Sequence, residues 1–566
     1  MEQGRLFLAI GLSLLVFLVW NFLFVDNEAI QRQQRARQDE IRQKQDDIKH
    51  EETVAISESA PSVEVQKAGE TVETDTTLPL KEATDERPAR QLTIKTPLYT
   101  VGISEKGALF TSFLLHNYKE NASPDSPFYQ MAPYEIKTGN ITLEISGNQL
   151  NDLNNAVFHG DMTENEITIE QSPRRVIFTW QSQQGIIVQK EYLFTPQSYK
   201  IGLAVKIINK SDRDFQGQAL LGLKKVMPKE IDRFGFSGPS AFINNTLEQI
   251  ALDDIAEKNI YAGQVDWIAL EDRYFMSALI PVKKQNGELR LNVNGANLIT
   301  SQYASPPMQI LSNMQTALEY QIFIGPKKVS ILKQTGHQLD KAVDFGWFDF
   351  IARPCLAFMN FLYQYIPNYG VVIIILTLLI KLILWPLGTK GYKSMAEMKK
   401  LQPLMAEVKE KYKGDKKRIQ EETMQLYKTY KINPIGGCLP MVVQIPVFFA
   451  FYRMLYQAIE LRHAPFFGWI TDMSAPDRLG NFGFSIPFMD APYGIPVLTI
   501  IMGVTMFLQQ KMSPPVGDAT QAKVMQFMPL AFTVIFINFS AGLVLYWLIN
   551  NVVSIAQQYY TQKKTL

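Results

Sequence analysis

The chain has 566 residues, a formal net charge of +1 and 46% hydrophobic residues. These averages resemble those of a soluble protein, but they hide a division between a polar first half and an apolar second half. Two cysteines, neither in a metal-ligand pattern, exclude a disulfide framework, and five scattered histidines exclude a zinc-protease motif. Because the sequence also lacks nucleotide-binding and nucleophile-elbow motifs, it predicts no catalytic residue, no metal and no cofactor.

The N-terminal region predicts a membrane anchor followed by a tether. Residues 6–25 are nearly all apolar and long enough to cross a bilayer, and no small-residue cleavage site follows them. We therefore expect residues 1–25 to form an uncleaved signal anchor. Residues 26–90 are rich in Gln, Glu, Thr, Lys and Ala and poor in aromatic residues, which predicts a flexible linker.

Residues 91–340 have the texture of a β-sandwich domain. Apolar residues alternate with small or polar ones, as at 201–207, and Gly, Pro, Asn and Ser separate the runs. Two interpretations remain open: a binding or spacing scaffold without chemistry, and a cleft for a carbohydrate or a peptide. The following segment, 341–368, is rich in aromatic residues and carries Asp349 and Arg353, which predicts an amphipathic helix lying in the membrane interface.

The segment 371–387, VVIIILTLLIKLILWPL, predicts a membrane-spanning helix at 369–387 that contains one lysine. Its Leu, Ile and Val residues contribute about −4 to −8 kcal/mol to insertion, against about +2.5 to +3.5 kcal/mol for Lys381. The side chain either reaches the interface as an anchor or faces a water-filled cavity between helices. Thr377, four residues earlier, lies on the same helical face and extends a polar stripe, which favours the cavity.

The loop at 388–432 is strongly basic. It holds twelve Lys and Arg against six acidic residues, so the positive-inside rule places it in the cytoplasm. Apolar residues recur every three to four positions on both sides of Gly414 and Asp415, which predicts an antiparallel helical hairpin. The hairpin either packs on itself with a solvated basic face or receives a ribosome, a nascent chain or a targeting receptor.

The next predicted span, 433–458, contains Pro440 and Pro446, and each proline removes a backbone donor inside a helix. Such breaks are tolerated where other protein groups or water satisfy the backbone. Gln444, between the prolines, places another polar group at depth. The segments that follow are a loop on the outer side of the membrane at 459–492, spans at 493–510 and 524–540 joined by a cytoplasmic loop at 511–523, a span at 541–560 and a cytoplasmic tail at 561–566.

The last span carries a second polar stripe, because Tyr546, Asn550 and Ser554 stand at i, i+4 and i+8. With the basic loop inside, the β-domain lies on the outer side of the membrane and both termini lie in the cytoplasm, which gives six spans, of which the five after the β-domain form a core bundle. Polar side chains facing lipid are costly, so the three polar helices should face one another around a hydrophilic groove. A cation in that groove would attract acidic or polar segments of another chain, whose apolar span then moves sideways into lipid.

Four longer strings also resemble a known family. They are NPIGGCLPMVVQIPVFFAFY at 433–452, ELRHAPFFGWITDMSAPD at 460–477, SAGLVLYWLINNVVSIAQQ at 540–558 and DFGWF at 344–348. Together they resemble the bacterial YidC membrane insertases, in the form with a large periplasmic domain. The resemblance implies insertion and folding of inner-membrane proteins, alone or with the Sec translocon. It also implies a periplasmic β-supersandwich of galactose-mutarotase type without enzymatic activity.

The resemblance extends to individual residues. The family's intramembrane cation is usually arginine, and the matching position here is Lys381, which keeps the charge but loses the bidentate fork. Thr377, Gln444 and Tyr546 match groove-lining positions, and Trp547 stands where relatives often have a tyrosine. The predicted groove therefore consists of Lys381, Thr377, Gln444, Tyr546, Trp547, Asn550 and Ser554.

The sequence thus favours a multi-pass insertase of the bacterial inner membrane. Its expected partners are nascent membrane proteins, Sec components, a ribosome or targeting receptor at the hairpin, and lipid, with no DNA. A small-solute channel or secondary transporter is the alternative, and it would need paired ionisable residues or inverted repeats. A periplasmic carbohydrate enzyme on an anchor would need convergent carboxylates or histidines in the β-domain, and it would leave five spans without a role.

Overall fold

A computed structural model of the chain describes residues 88–132, 139–146, 150, 152–227, 235–294, 297–430, 439–513 and 519–565. The predicted signal anchor at 1–25 and almost all of the linker at 26–90 lie outside the described residues. Residues 400–430 form a unit of their own, separate from the sheets and the remaining helices.

The first part of the described chain is a sheet-rich domain. One sheet has the order β4-β3-β2-β1-β7, and a larger one follows the order β18-β11-β17-β16-β14-β15-β19-β10-β9-β8-β6. In the larger sheet β12 also pairs with β14 and with β13, and β5 pairs with β11. The strands are β1 (Gln91–Lys95), β2 (Tyr99–Ser104), β3 (Leu109–Lys119), β4 (Phe128–Gln130), β5 (Thr142–Ser146), β6 (His159–Gly160), β7 (Glu166–Thr168), β8 (Arg174–Gln181), β9 (Ile186–Phe194), β10 (Lys200–Asn209), β11 (Phe215–Val226), β12 (Gly238–Ile243), β13 (Thr246–Gln249), β14 (Ile260–Glu271), β15 (Phe275–Pro281), β16 (Asn286–Asn294), β17 (Leu298–Ala304), β18 (Met308–Ile310) and β19 (Gln315–Pro326).

The alternating sequence of β10 explains how the domain forms its core. Every second side chain from Ile201 to Ile207 is buried, as a strand with one face on the core requires. The strand pairs antiparallel with β9 and β19 along its length. The two sheets meet through aromatic rings, since the Phe110 ring lies 5.2 Å from that of Tyr192 and 6.5 Å from that of Phe194. The predicted sheet-rich domain is confirmed.

This core encloses a lysine on β9. Lys190 is 1% exposed, and its ammonium donates hydrogen bonds to the carbonyl oxygens of Gly107 at 2.8 Å and Ile141 at 3.3 Å. Burial in this apolar site lowers the pKa of Lys190 to about 7. At alkaline pH, the Lys190 amine is therefore less protonated in the folded domain than in the unfolded chain.

We expect the free energy of unfolding to rise with pH between about 7 and 10.4, because the unfolded chain then binds more protons at Lys190 than the folded domain. The slope approaches about 1.4 kcal/mol per pH unit. Lys190→Met should flatten the slope in thermal unfolding of the detergent-purified protein across that range. Lys206→Met, at a half-exposed lysine of β10, is the control and should keep it. An unchanged slope in Lys190→Met would contradict the assignment.

Helices follow the sheets. In chain order they are α1 (Val329–Thr335), α2 (Asp349–Tyr363), α3 (Tyr369–Lys400), α4 (Gln402–Lys411), α5 (Lys416–Thr429), α6 (Leu439–Gln457), α7 (Val497–Met512), α8 (Ala519–Phe536) and α9 (Ala541–Thr565). Within the described residues, α3 is the one helix long and apolar enough to be identified as a span by length and composition, and α7 and Val524–Phe536 are shorter apolar helices. The count of six spans stays a prediction.

Several helices begin or end at residues that differ from the predicted boundaries. The helix predicted to end at 387 continues to Lys400, because Gly388 is accommodated within it and leaves room for a side chain of α9. The hairpin's first helix therefore begins only at Gln402, where Pro403 occupies the first turn and suits a helix start. The described part of α6 begins at Leu439 and contains Pro446 in its interior, as predicted, whereas the placement of Pro440 inside the span stays a prediction because residues 431–438 lie outside the described residues.

The later spans shift as well. The span predicted to start at 493 begins at Val497, because Ile495 pairs with Leu479 first. The span predicted at 524–540 is α8, which starts earlier and ends at Phe536. The span predicted at 541–560 starts as expected, but α9 continues to Thr565 and includes most of the predicted tail.

Helix α2 has the two faces expected of an interfacial helix. Ala352, Leu356 and Met359 are buried, whereas Phe350 and Phe361 are 72% and 48% exposed. Its Arg353 binds Asp349 at 2.7 Å and donates to the carbonyl of Val343 at 2.7 Å, which fixes the helix to the segment before it. These contacts agree with the predicted segment at 341–368.

The sheet domain also contacts α6 through the turn between β14 and β15. Asp272 stabilises this turn, because its carboxylate accepts the backbone N–H groups of Tyr274 and Phe275. Burial alone would raise the pKa of Asp272, but the Lys225 ammonium at 2.7 Å and these two N–H groups hold that pKa below its ordinary value. Arg273 then donates to the carbonyl of Tyr456 at 2.7 Å, at the C-terminal end of α6. A cation suits that end of a helix.

Candidate functional site: a polar cluster between three helices

The predicted groove residues lie on α3, α6 and α9. Lys381 of α3 is 8% exposed, whereas Ile383, two residues later, is 76% exposed. The ammonium of Lys381 donates to the hydroxyl of Ser554 at 2.7 Å. That hydroxyl donates to the carbonyl of Asn550 at 2.7 Å, one turn earlier on α9. Lys381 therefore points into the helix bundle.

A second contact joins α6 to the same face of α9. The Gln444 amide nitrogen donates to the Asn550 side-chain oxygen at 2.6 Å. Both side chains are half-buried. Lys381, Gln444, Asn550 and Ser554 thus form a connected group, which we call the polar cluster. The structure brings these four sequence-predicted residues together.

Thr377 takes a different role from the polar cluster. It is 1% exposed, and its hydroxyl donates to the carbonyl of Ile373 in its own helix at 2.6 Å. Helical spacing placed Thr377 on the buried face correctly, but a threonine hydroxyl can bond to the preceding turn. The structure therefore does not connect this hydroxyl to Lys381.

Tyr546 and Trp547 form an aromatic layer toward the N-terminal end of α9. The Tyr546 ring stacks on Phe451 with centroids 4.7 Å apart, and the residue is 2% exposed. The Trp547 ring meets Phe448 edge-on at 4.7 Å and lies 5.1 Å from Phe536 of α8. This layer fills the bundle on one side of the polar cluster with packed rings.

Sequence reasoning missed a polar contact one turn beyond Ser554. The Gln557 amide nitrogen donates to the Trp385 carbonyl at 2.8 Å and to the Thr389 hydroxyl at 3.1 Å, which ties α9 to α3. A Cβ on Gly388 would lie 2.8 Å from that nitrogen, so glycine makes room for it. The available signal was the i+3 spacing from Ser554, which puts Gln557 on the same side of the helix.

The neighbouring face of α9 is bonded to α7. The Asn551 amide donates to the Thr505 hydroxyl at 3.4 Å, and the Gln558 amide donates to the Ser513 hydroxyl at 3.5 Å. Gln562 donates to the Met512 carbonyl at 3.1 Å. Polar contacts to three helices therefore begin at Asn550 and continue toward the C-terminal end of α9, while the residues before Asn550 pack through apolar and aromatic side chains.

The chemistry that this arrangement offers is electrostatic attraction. A lysine ammonium has three donors, and the described residues place one acceptor, Ser554, on Lys381 and no carboxylate within ion-pair distance. The site can therefore bind an anionic or carbonyl group. Across the described residues there is no group of three His, Cys, Asp or Glu that could hold a metal ion.

The hairpin is a small unit with its own contacts. The Tyr427 hydroxyl donates to the Met405 sulfur at 3.6 Å, and the Tyr412 hydroxyl donates to Glu422 at 3.3 Å. Asp415 caps α5 by accepting the backbone N–H of Arg418 at 3.0 Å. Its basic side chains, among them Lys409, Lys413, Lys417 and Lys428, are exposed. The two helices therefore pack on each other and leave a basic surface outside.

Two protein families match most of the chain. Residues 91–358 match a family described as the YidC periplasmic domain, and residues 361–566 match one described as the 60Kd inner membrane protein. A curated relative from Syntrophobacter fumaroxidans, named membrane protein insertase YidC, is 40% identical over 84% of this chain and 87% of its own.

Two solved structures overlap only loosely. A crystal structure titled as an active YidC insertase covers 84% of this chain and 93% of its own at 17% identity, with a TM-score of 0.35. A galactose mutarotase-like protein from Lactobacillus casei covers 41% of this chain and 99% of its own at 10% identity, with a TM-score of 0.31. Both TM-scores are too low for these overlays to carry an argument about topology.

Proposed function

This chain belongs to the YidC family of membrane protein insertases, and we propose that it inserts clients by receiving their polar segments at the polar cluster between α3, α6 and α9. Membership makes it a bacterial inner-membrane protein whose substrates are nascent membrane proteins. The family is not an enzyme family. The matches give no support to a small-solute channel or transporter.

The observation that carries the proposal is the buried ammonium of Lys381. A charge at depth is costly unless it is paired, and here a single serine hydroxyl accepts from it among the described residues. A client carboxylate about 4 Å away would gain about 4 kcal/mol at an effective dielectric constant near 20. The client's arrival therefore satisfies a charge that the resting bundle leaves partly unsatisfied.

The residues around Lys381 determine which way a polar client segment can move along α9. The aromatic layer of Tyr546 and Trp547 opposes a polar segment moving toward the N-terminal end of α9, because a polar group among packed rings loses its hydrogen bonds. Gln444 and Asn550 offer amide groups beside the ammonium. Thr377 contributes to the buried wall rather than to polar contacts. Burial of the client's own apolar span in lipid then drives insertion.

The proposal includes the finer topology. We assign six spans, with both termini and the hairpin in the cytoplasm and the sheet domain in the periplasm as a supersandwich of galactose-mutarotase type. The exposed lysines of the hairpin give it the charge to receive a ribosome or an acidic targeting receptor. Insertion with Sec components belongs to the same proposal.

Site-specific photo-crosslinking in living cells tests the proposal. A benzophenone amino acid at position 444 should crosslink to a nascent client, since Gln444 lies beside the polar cluster. Position 383 is the matched control, because Ile383 is 76% exposed on the opposite face of α3 from Lys381. Client adducts should form at 444 and be scarce at 383. Equal adducts at both positions, or client insertion without adducts at 444, would overturn the proposed route.

A further inference from the structure

The loop between α6 and α7 contains a segment that reaches the ends of three helices. In residues 473–479, the capping segment, the Met473 and Ala475 carbonyls accept the N–H groups of Gly542 at 2.9 Å and Ala541 at 2.8 Å, at the start of α9. Leu479 exchanges two backbone hydrogen bonds with Ile495, just before α7, at 2.8 and 2.9 Å. The loop is thus part of the bundle's framework.

Asp477 of the capping segment caps the start of α7. It is 2% exposed, and its carboxylate accepts the backbone N–H groups of Leu498 and, at 3.4 Å, of Thr499. The indole N–H of Trp469 donates to its other oxygen. Pro496, the residue next to α7, gives no side-chain cap, so the anion that the positive helix end favours comes from elsewhere in the chain.

Arg478, the next residue, caps the end of α8. Its guanidinium donates to the carbonyl of Ile537 at 2.7 Å, one residue beyond the helix, and to the Asn538 side-chain oxygen at 3.1 Å. It also donates to the Pro492 carbonyl at 2.9 Å, which holds the loop in place. Here a cation meets the negative end of a helix. Adjacent residues of opposite charge therefore meet opposite ends of two neighbouring helices.

We propose that Asp477 and Arg478 are positioning residues for insertion, because they fix α7 and α8 against α9 and so keep the polar cluster in its working arrangement. This inference rests on the proposed function. The connection runs through α7, whose Thr505 and Ser513 bond to Asn551 and Gln558 of α9. If α7 shifts, α9 loses these contacts on the face next to Asn550.

The charges are assigned to specific helix ends, and an exchange of the two residues tests that assignment. Asp477→Asn and Arg478→Gln should each slow client insertion about tenfold at equal protein levels in the membrane, because each removes the charge from hydrogen bonds at a helix end, buried at Asp477 and partly buried at Arg478. The double variant Asp477→Arg with Arg478→Asp keeps the net charge and the neighbouring pair but reverses both helix ends. We expect it to be the most impaired. If the exchanged variant inserted clients as well as the wild type does, the proposal would be wrong. Such a result would mean that the two residues act only as an ion pair with each other, because that pair is the one interaction that the exchange preserves.

Disulfide cross-linking separates positioning from general instability. With Cys355 and Cys438 replaced by serine, a cysteine pair at 513 and 558 reports the α7–α9 contact, and a pair at 389 and 557 reports the α3–α9 contact. Asp477→Asn should reduce the first cross-link several-fold and leave the second unchanged. Equal loss of both cross-links, or no loss of the first, would overturn the positioning role. Intact cross-links with failed client capture at position 444 would instead count against the proposed groove.

Discussion

Insertion of a client with an acidic translocated tail is expected to fall to background in Lys381→Glu, to fall about tenfold in Lys381→Ala, and to change little in Lys381→Arg. Glutamate would turn attraction into repulsion at a buried position, where charges are weakly screened. Alanine removes the attraction, and a tenfold loss corresponds to about 1.4 kcal/mol. Arginine keeps the charge and adds donors.

The measurement is client insertion by protease protection in cells depleted of their own insertase, with equal amounts of each variant in the membrane. Ser554→Ala is the matched control, because it removes the hydroxyl that Lys381 donates to while keeping the charge. It should affect insertion less than Lys381→Ala. A client with an uncharged tail should depend less on Lys381. If Lys381→Ala inserted the client as well as the wild type does, the lysine would serve only as an anchor. The polar side chains of the groove would then have to attract the client without its charge.

Helical spacing was sufficient to find most of the polar cluster. Lys381 was conspicuous as a charge in an apolar segment, and Asn550 and Ser554 stood one turn apart on one face of α9. Their mutual contacts follow, because polar side chains in a bundle are driven together when lipid is the alternative. The alternating strands, for the same reason of local periodicity, predicted the sheet-rich domain.

Contacts set by distant parts of the chain could not be predicted in this way. Asp477 is 21 residues before Leu498, and Arg478 is 59 residues before Ile537, so neither cap resembles a local capping motif in the sequence. The hydrogen-bond acceptor of Thr377 could not be predicted for a different reason, since helical spacing gives the face on which a residue lies but not the acceptor that its hydroxyl selects.

Gly503→Ala is expected to lower the stability of the bundle by about 1 to 3 kcal/mol, the usual cost of overpacking. Gly503 lies on α7 where α8 approaches, and a Cβ there would lie 2.2 Å from the Thr533 hydroxyl oxygen and 3.2 Å from its methyl carbon. Threonine cannot easily turn away, because its hydroxyl donates to the Pro529 carbonyl at 2.8 Å and β-branched side chains have few rotamers in a helix. The helices must therefore separate.

Thr533→Ala should restore most of that loss in the double variant, because it removes both of the atoms closest to the new Cβ. Thermal unfolding of the detergent-purified protein and client insertion should both show the recovery, with Thr533→Ala alone close to wild type as the control. Two contacting residues should have a coupling energy of about 0.5 to 3 kcal/mol. Strictly additive losses would mean that α7 and α8 do not meet at Gly503. Recovery would mean that α7 and α8 are in close contact at Gly503, the same two helices whose ends contact Asp477 and Arg478.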